Sequence, residues 1–300
     1  MKLLKPTTDL VFKLLFQRDE RHVLLRSMLE CVLEPTSPIE QIEIINPDIE
    51  LEHPAHKPIV LDLRVKLKDL TRIDIEMQTE VVPSLRSRFL YYWARDYSAG
   101  LERGEDYTRL IPVTSVIWLT ETLLSGQQFH NVFHLSEDTT RERFCADMEF
   151  HTLELKKLHL LSVAEHPVLS RWSRFLAAVT IDEFNRLAEE DPIMETAKKT
   201  LEQLSLDPDV ARRAYDRETA LNGYHIMLDG ERREGRLEGR LEGRLEGQRA
   251  TIAQLLADRF GPLPQWASDR IALADAAQLD FYLKAILKSS TLEECLQLHA

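Results

Sequence analysis

Two carboxylates, Asp62 and Glu76, and the amide of Gln78 are the residues of this chain whose types and spacing could do chemistry. They lie in two segments, 59–68 and 72–80, in which apolar residues alternate with polar ones. Such alternation predicts two half-buried β-strands. The three residues between the segments suit a hairpin turn. In antiparallel pairing, the even-numbered side chains of both strands share one face.

The hairpin has two plausible registers. In the first, Asp62 lies opposite Glu76, and Arg64 then faces Asp74. In the second, which is shifted by two residues, Asp62 faces Gln78 instead. In both registers Asp62 and Glu76 are direct or diagonal neighbours, with Cβ atoms roughly 4.5–8 Å apart. Two carboxylates this close repel unless a proton or a cation lies between them, and a hard divalent cation such as Mg²⁺ or Mn²⁺ is the natural occupant.

A purely structural interpretation of the same pattern stays open. An antiparallel hairpin with one solvent-exposed face shows this alternation without having any function. Cross-strand salt bridges, such as one between Arg64 and Asp74, would then account for the polar face.

The order of the motifs resembles a known nuclease superfamily. Asp62, thirteen further residues and then Glu76-Met77-Gln78 are similar to the Asp…Glu-x-Lys signature of the PD-(D/E)XK nucleases, with Gln in place of Lys. The segment 8–16 (TDLVFKLLF) resembles the Asp-x-x-Phe-Lys-x-x-Phe opening of the recombination-promoting nuclease (Rpn) branch, whose members are often labelled PD-(D/E)XK family transposases. The segments 86–93 and 104–107 resemble the same branch, so the motifs cover about the first 120 residues in order.

The resemblance implies an α/β fold of the restriction-endonuclease-like kind. Its mixed sheet would be flanked by helices around an αβββαβ core and followed by an all-helical C-terminal region. The implied function is a Mg²⁺-dependent DNA endonuclease of low sequence specificity, linked to recombination or to defence against foreign DNA, with Mn²⁺ as an alternative ion. The rival hypothesis is a non-catalytic DNA-binding or assembly protein on a decayed nuclease fold.

The resemblance also suggests roles for the residues of the motif. Asp62 and Glu76 would ligate the metal ion, and the carbonyl of Met77 would complete its coordination shell. When bound, the ion would polarise the phosphodiester and acidify the attacking water. Gln78 would be catalytic, but a neutral amide can only orient water or phosphate and cannot act as a cation or as a base.

Further candidates lie on predicted helices and near the hairpin. Asp9 is a candidate catalytic residue, because the acid on this helix can reach the metal site in the family; an i,i+4 ion pair with Lys13 is the alternative. The candidate DNA contacts are Lys13, Arg64, Arg86 and Arg88. The net charge of −12 argues against a nucleic-acid binder. However, acids and bases nearly balance in the first hundred residues, and a local basic patch can bind phosphates.

Composition and missing motifs exclude several classes of protein. No run of 18 or more apolar residues predicts a membrane span, and the first residues lack a secretory signal. The sequence has no GxGxxG, Walker or HExxH motif, and its three cysteines have no metal-ligand spacing. We therefore expect a cytoplasmic protein without an organic cofactor and without a membrane association.

Hydrophobic periodicity predicts the order of the elements along the chain. Helices are predicted over 8–17, 21–33, 83–102, 170–179, 181–189 and 193–204, and strands over 41–46, 108–120, 129–135 and 147–155, besides the hairpin.

A Glu-Gly-Arg-Leu repeat runs from Glu234 through Gly247. On a helix its four-residue period places the leucines in one slowly drifting stripe. Each interior glycine costs about 1 kcal/mol relative to alanine, so an isolated helix should be poor and a partner helix would improve it. The repeat predicts a homodimer through the C-terminal helical region, with a flexible linker as the alternative. The predicted domains are a nuclease-like core (1–165), a helical extension (166–229), the repeat (230–250) and a small helical association domain (251–300).

Overall fold

A computed structural model of the chain describes residues 3–18, 21–45, 48–49, 59–101 and 104–296. The chain forms two compact units, Met1–Thr219 and Ala220–Ala300. None of the helices in the described residues combines the length and the apolar character that crossing a lipid bilayer would require.

The first unit contains a six-stranded mixed sheet and a separate two-stranded sheet. The described strands are β1 (Ile42–Ile44), β2 (Asp48–Ile49), β3 (Ile59–Val60), β4 (Leu63–Leu67), β5 (Arg72–Gln78), β6 (Val113–Leu119), β7 (His130–His134) and β8 (Met148–Glu154). The large sheet has the order β1-β4-β5-β6-β8-β7. Strands β5, β6 and β8 run parallel, and the remaining pairs are antiparallel.

Helices cover the sheet and form the C-terminal region. The described α-helices are α1 (Asp9–Gln17), α2 (Val23–Leu33), α3 (Leu85–Ser98), α4 (Pro167–Ala177), α5 (Ile181–Glu190), α6 (Pro192–Leu206), α7 (Pro208–Phe260), α8 (Gln265–Leu273), α9 (Ala276–Ile286) and α10 (Leu292–Cys295). The predicted fold class, a restriction-endonuclease-like mixed sheet followed by a helical region, is confirmed.

Two element boundaries differ from the sequence predictions for local reasons. The predicted strand 108–120 begins only at Val113, because Tyr107–Arg109 forms a 3₁₀ turn. The Asp106 carboxylate stabilises this turn by accepting a hydrogen bond from the Thr108 N–H at 2.8 Å. The predicted strand 59–68 is also split. Residues Ile59–Val60 pair with β2, and the strand that enters the large sheet begins at Leu63.

The hairpin adopts the first of the two predicted registers. Arg64 pairs with Asp74, and Leu63 pairs with Ile75, so continuing this register by one residue places Asp62 opposite Glu76. The turn contains Leu70 in the left-handed region, with φ of 72°. In addition, the Asp69 carboxylate accepts a hydrogen bond from the Thr71 N–H at 3.0 Å.

Helix packing buries both faces of β5, whereas the alternation predicted one solvent-exposed face. The odd-numbered side chains of β4 and β5 join the main core, which also contains residues of α1, α2, α4, α5 and α6. On the other face, α3 packs Leu85 and Phe89 against Ile117 and Leu119 of β6. Because α3 covers this face, Arg72, Asp74 and Glu76 of β5 are also buried, whereas Gln78 is half-buried.

The main core also bears on where the first unit ends. Leu201 and Leu204 of α6, and Val210 and Ala214 at the start of α7, are buried in the same core as the sheet. The four-part division of the chain stays a prediction, but a fragment that ends before α7 would lose part of this core.

The second unit contains most of α7, a single helix of 53 residues that includes the repeat. The repeat is therefore helical in the structure. Leu237 and Leu241 are each 62% exposed, whereas Leu245 packs against the core of the second unit. That core consists mainly of Ile252, Leu256, Ile271, Leu279, Tyr282, Ile286 and Cys295.

Candidate active site

Backbone N–H groups hold the Asp62 and Glu76 carboxylates at the end of the β4–β5 hairpin. The Met77 N–H donates to Asp62 Oδ2 at 2.8 Å, and the Asp62 N–H donates to Glu76 Oε1 at 3.3 Å. Glu76 is 6% exposed, and Asp62 is half-buried. The strand is interrupted at Leu61 and Asp62, between Ile59–Val60 and Leu63–Leu67, and there the Asp62 N–H donates to the Glu76 side chain.

Burial raises the pKa of both carboxyl groups. For Glu76, the negative charge of Asp62 is the next largest cause and acts in the same direction. The Met77 N–H and the positive charges of Lys13 and Arg88 partly offset the rise in the pKa of Asp62. A cation held between Asp62 and Glu76 would favour the ionised form of both carboxyl groups.

The donor set fits a hard divalent cation. Carboxylate oxygens are the ligands that Mg²⁺ prefers, and Mg²⁺ commonly uses only one or two protein carboxylates together with substrate phosphates. Among the residues that the structure describes, no group of three or more His, Cys, Asp or Glu side chains could hold a metal ion. Two carboxylates suit an ion that is shared with a phosphate.

The raised pKa values predict how the stability of the metal-free protein depends on pH. Below about pH 4, which is near the pKa of both groups in the unfolded chain, protonation of Asp62 and Glu76 stabilises the folded state by its full amount. This stabilisation is lost as the pH rises through the pKa values of the folded state, which reach about 8 for Glu76. In EDTA, the melting temperature should therefore fall between pH 5 and pH 8. Glu76→Gln should flatten this decline, and an equally steep decline in that variant would contradict the assignment.

Both the nitrogen and the oxygen of the Gln78 carboxamide form hydrogen bonds. Its Nε2 donates to Glu76 Oε2 at 2.8 Å, and its Oε1 accepts a hydrogen bond from the Arg88 guanidinium. Gln78 thus links the buried carboxylate to a cation on α3. The side chain of Gln78 points to the same face as Glu76, as expected two residues further along a strand.

The inner face of α3 carries polar residues at helical spacing. Arg88, Tyr92 and Asp96 lie at i, i+4 and i+8, which places them on one side of the helix. The guanidinium of Arg88 lies 5.8 Å from the centroid of the Tyr92 ring. Burial raises the pKa of the Tyr92 hydroxyl, and the charges of Glu76 and Asp62 act in the same direction. Tyr92 therefore lies within electrostatic range of both carboxylates.

A comparison with the sequence profiles of known families identifies the family of this chain. A sequence profile described as PD-(D/E)XK nuclease family transposase matches residues 6–229. The chain belongs to this family. The match includes Asp62, Glu76 and Gln78, and it confirms the resemblance that the motifs suggested. No curated protein and no solved structure matches the chain. Membership in a PD-(D/E)XK nuclease family makes the function nuclease-related, and such nucleases generally use divalent metal ions.

One candidate DNA contact of this family member lies in a buried ionic cluster. Arg64 forms an ion pair with Asp96, which is fully buried. The Arg64 Nε also lies 4.0 Å from Asp74 Oδ1. Arg72 contributes a second guanidinium, with Nη1 at 3.1 Å from Asp96 Oδ1. The Arg64 side chain is only 12% exposed, so it joins α3 to the sheet and has little surface to offer DNA.

The other predicted site residues are spread more widely. The Asp9 Oδ1 accepts a hydrogen bond from the Leu10 N–H at 2.7 Å, and Asp9 forms an ion pair with Arg217 of α7. Within the described residues, no hydrogen bond or ion pair joins Asp9 to Asp62, and its catalytic role stays a prediction. Arg86 is exposed and donates to the Leu123 carbonyl at 2.9 Å.

Three histidines and a glutamate form a second polar chain on β7 and β8, which the sequence pattern did not reveal. His130 Nε2 lies 2.9 Å from His151 Nδ1, and His151 Nε2 lies 2.6 Å from Glu149 Oε1. The His134 Nδ1 lies 3.4 Å from the other carboxylate oxygen. Burial, followed by the charge of His151, lowers the pKa of His130 to about 4. These side chains satisfy one another's hydrogen bonds.

Neither Tyr92 nor Asp96 is among the candidate residues predicted from the sequence. The spacing of Arg88, Tyr92 and Asp96 was the available signal, since it places a cation, a phenol and a carboxylate on one helical stripe. The apolar stripe that includes Leu85 and Phe89 obscured it, because both stripes face the sheet.

Proposed function

We propose that this family member is a metal-dependent DNA endonuclease that hydrolyses phosphodiester bonds with low sequence specificity. Mg²⁺ is the proposed ion, with Mn²⁺ as an alternative. The observation that carries the proposal is the pair of opposed carboxylates, Asp62 and Glu76, at the motif position of a PD-(D/E)XK family. The resemblance to the Rpn branch supports a role in recombination or in defence against foreign DNA, and the scattered cysteines support a cytoplasmic location.

Asp62 and Glu76 would hold the ion, and the Met77 carbonyl is the third proposed donor. The N–H and C=O of one strand residue point to the same side, and the Met77 N–H points to Asp62. The Gln78 carbonyl points the other way, since it accepts a hydrogen bond from the Thr120 N–H at 3.0 Å. The Met77 carbonyl is therefore directed to the side of Asp62. When bound, the ion supplies Lewis acidity to the phosphoryl group and acidifies the attacking water.

Basic side chains near the carboxylates would bind the phosphates of DNA. Lys13 and Arg88 both act electrostatically on Asp62, and Arg86, which is exposed two residues before Arg88 on α3, is a further proposed contact. Such a local patch can attract DNA although the whole chain has a net charge of −12. Arg64 is left out of this set, because it is engaged with Asp74 and Asp96.

A plasmid-nicking assay tests the proposed function directly. The full chain should convert supercoiled plasmid into nicked and linear forms with Mg²⁺ or Mn²⁺, and it should be inactive in EDTA or with Ca²⁺ alone. Cleavage of several unrelated plasmids at many positions would support low specificity. No cleavage with either ion, for protein that melts cooperatively, would contradict the proposal.

A non-catalytic DNA-binding protein is the second candidate, and the replacement of Lys by Gln78 favours it. A carboxamide cannot provide a positive charge or take a proton from water. Metal-independent retention of DNA in a gel-shift assay, without any cleavage, would support this candidate over the endonuclease.

Variants of Gln78 test whether this side chain serves the reaction. Gln78→Ala should lower the cleavage rate by roughly 10²–10³, the scale of one lost transition-state donor. Gln78→Lys should retain or raise the rate, because it restores the commoner residue of the signature. The plasmid assay under single-turnover conditions measures both. An unchanged rate in Gln78→Ala would place this side chain outside the reaction.

We also propose that the full chain is a homodimer through the C-terminal helical region. The exposed Leu237 and Leu241 lie four residues apart on α7, so they share one side of the helix and offer an apolar stripe to a second helix. The double variant Leu237→Glu/Leu241→Glu should convert a dimer into a monomer in sedimentation at tens of micromolar. Leu273→Glu is the matched control, since Leu273 is exposed in the same unit. A monomeric wild-type chain would refute the dimer.

A further inference from the structure

The amide of Gln78 is oriented by its two partners. Its nitrogen donates to Glu76, so its oxygen must face the guanidinium of Arg88. An amide that stood alone beside a carboxylate could rotate or exchange its partners. Here the Glu76–Gln78–Arg88 connection fixes the position of the cation relative to the buried carboxylate.

Arg88 retains unused hydrogen-bonding capacity at this position. A guanidinium has five N–H donors, and Gln78 accepts from one of its nitrogens. The Nε–H of Arg88 is buried and has no hydrogen-bond partner within the part of the chain that the structure describes. A buried donor without a partner is costly, and a phosphate oxygen that approaches the guanidinium could accept from it.

The surroundings of Arg88 hold it in place. Its guanidinium lies 5.6 Å from the centroid of the Phe89 ring and 5.8 Å from that of Tyr92, distances at which cation–π attraction acts. Two turns further along α3, the buried Asp96 binds guanidinium groups from β4 and β5. These ion pairs fasten the helix that carries Arg88 to the strands that carry Asp62 and Glu76.

Lys13 is the other cation near the carboxylates, but it fits the role less well. Its charge acts on Asp62, whereas that of Arg88 acts on both Asp62 and Glu76. Arg88 also contacts the residue that occupies the lysine position of the signature. Helix α3 thus supplies, next to Gln78, the positive charge that the lysine of the signature would carry.

We propose that Arg88 is the cationic catalytic residue of this site and that Gln78 is the residue that positions it. This inference rests on the proposed endonuclease function. In the reaction, the oxygen of water forms a bond to phosphorus, the bond from phosphorus to the sugar oxygen breaks, and the departing oxygen receives a proton that originates from the water. Arg88 stays protonated throughout and donates to the non-bridging oxygens, where negative charge accumulates.

Cleavage kinetics of the full chain test the proposal. Arg88→Ala should lower the single-turnover rate by roughly 10²–10³, and Arg88→Lys should recover part of this loss. The double variant Gln78→Lys/Arg88→Ala carries a cation on β5 in place of the one on α3. The cleavage rate of this double variant should therefore exceed that of Arg88→Ala at least about tenfold. Arg109→Ala is the control, since Arg109 is an exposed arginine that pairs with Glu105; its rate should match that of the wild type.

Binding of Mn²⁺ without DNA gives a readout that is independent of cleavage. Removing the positive charge near Asp62 and Glu76 should tighten Mn²⁺ binding by Arg88→Ala roughly threefold to tenfold, whereas Arg88→Lys should bind like the wild type. A purely structural role would instead weaken Mn²⁺ binding together with activity, and Gln78→Lys would then give no rescue.

The outcomes separate this proposal from the proposed function. Wild-type cleavage with an unchanged rate in Arg88→Ala would overturn the role of Arg88 and leave the endonuclease intact. Loss of both activity and Mn²⁺ binding in Arg88→Ala, without rescue by lysine at either position, would overturn it as well. If the wild-type chain were inactive, the proposed endonuclease function would be refuted, and the proposed catalytic role of Arg88 would be refuted with it.

Discussion

Asp62→Asn and Glu76→Gln should each abolish DNA cleavage, lowering the rate by more than roughly 10³-fold. Loss of a single hydrogen-bond donor to a transition state costs about 10²–10³, and loss of a proposed metal ligand removes more than one such interaction. Both substitutions keep the size of the side chain and a hydrogen-bond acceptor for the Met77 or Asp62 N–H. The single-turnover plasmid assay with Mg²⁺ and Mn²⁺ measures the loss.

The same variants should remain folded, which separates a lost site from a lost structure. In EDTA at pH 8 they should melt at or above the temperature of the wild type, because each removes one of two negative charges that repel each other. Glu121→Gln serves as a control for carboxylate removal, since Glu121 is exposed and pairs with Lys156. Full cleavage by Asp62→Asn, purified in parallel with the control, would refute the assigned site.

Asp96→Ala should destabilise the first unit by about 3–5 kcal/mol, the usual cost of removing one partner from a buried ion pair. Asp96 is fully buried and binds both Arg64 and Arg72. Its removal leaves two buried guanidinium groups without this carboxylate. It also releases α3 from the sheet, so we expect cleavage to fall as well.

Denaturant unfolding followed by tryptophan fluorescence measures this loss, because Trp118 and Trp172 are buried in the first unit. Glu195→Ala is a matched control. Glu195 forms an exposed ion pair with Lys199, and such pairs contribute about 0–1 kcal/mol. If Asp96→Ala destabilised the protein no more than Glu195→Ala does, the buried cluster would not be what holds α3 to the sheet.

The sequence by itself determined the elements and the motif. Alternation over the two hairpin segments predicted β4 and β5, and it placed Asp62 and Glu76 as neighbours in either register. Helical periodicity predicted α1 to α6 to within a few residues. These properties follow from local geometry, since the periods of strands and helices depend only on neighbouring residues. The family could be recognised for the same reason, because its motifs are short and occur in a fixed order.

Only the tertiary structure decided what each polar side chain contacts. The alternation of β5 predicted a solvent-exposed polar face, but α3 covers it and turns Asp74 and Glu76 into buried carboxylates. The sequence offered Arg64 and Arg88 as equivalent basic residues. The structure engages Arg64 with Asp96 and brings Arg88 to Gln78. Such pairings join residues that are 10 to 32 positions apart, and they depend on how a helix docks on a sheet, which no local pattern encodes.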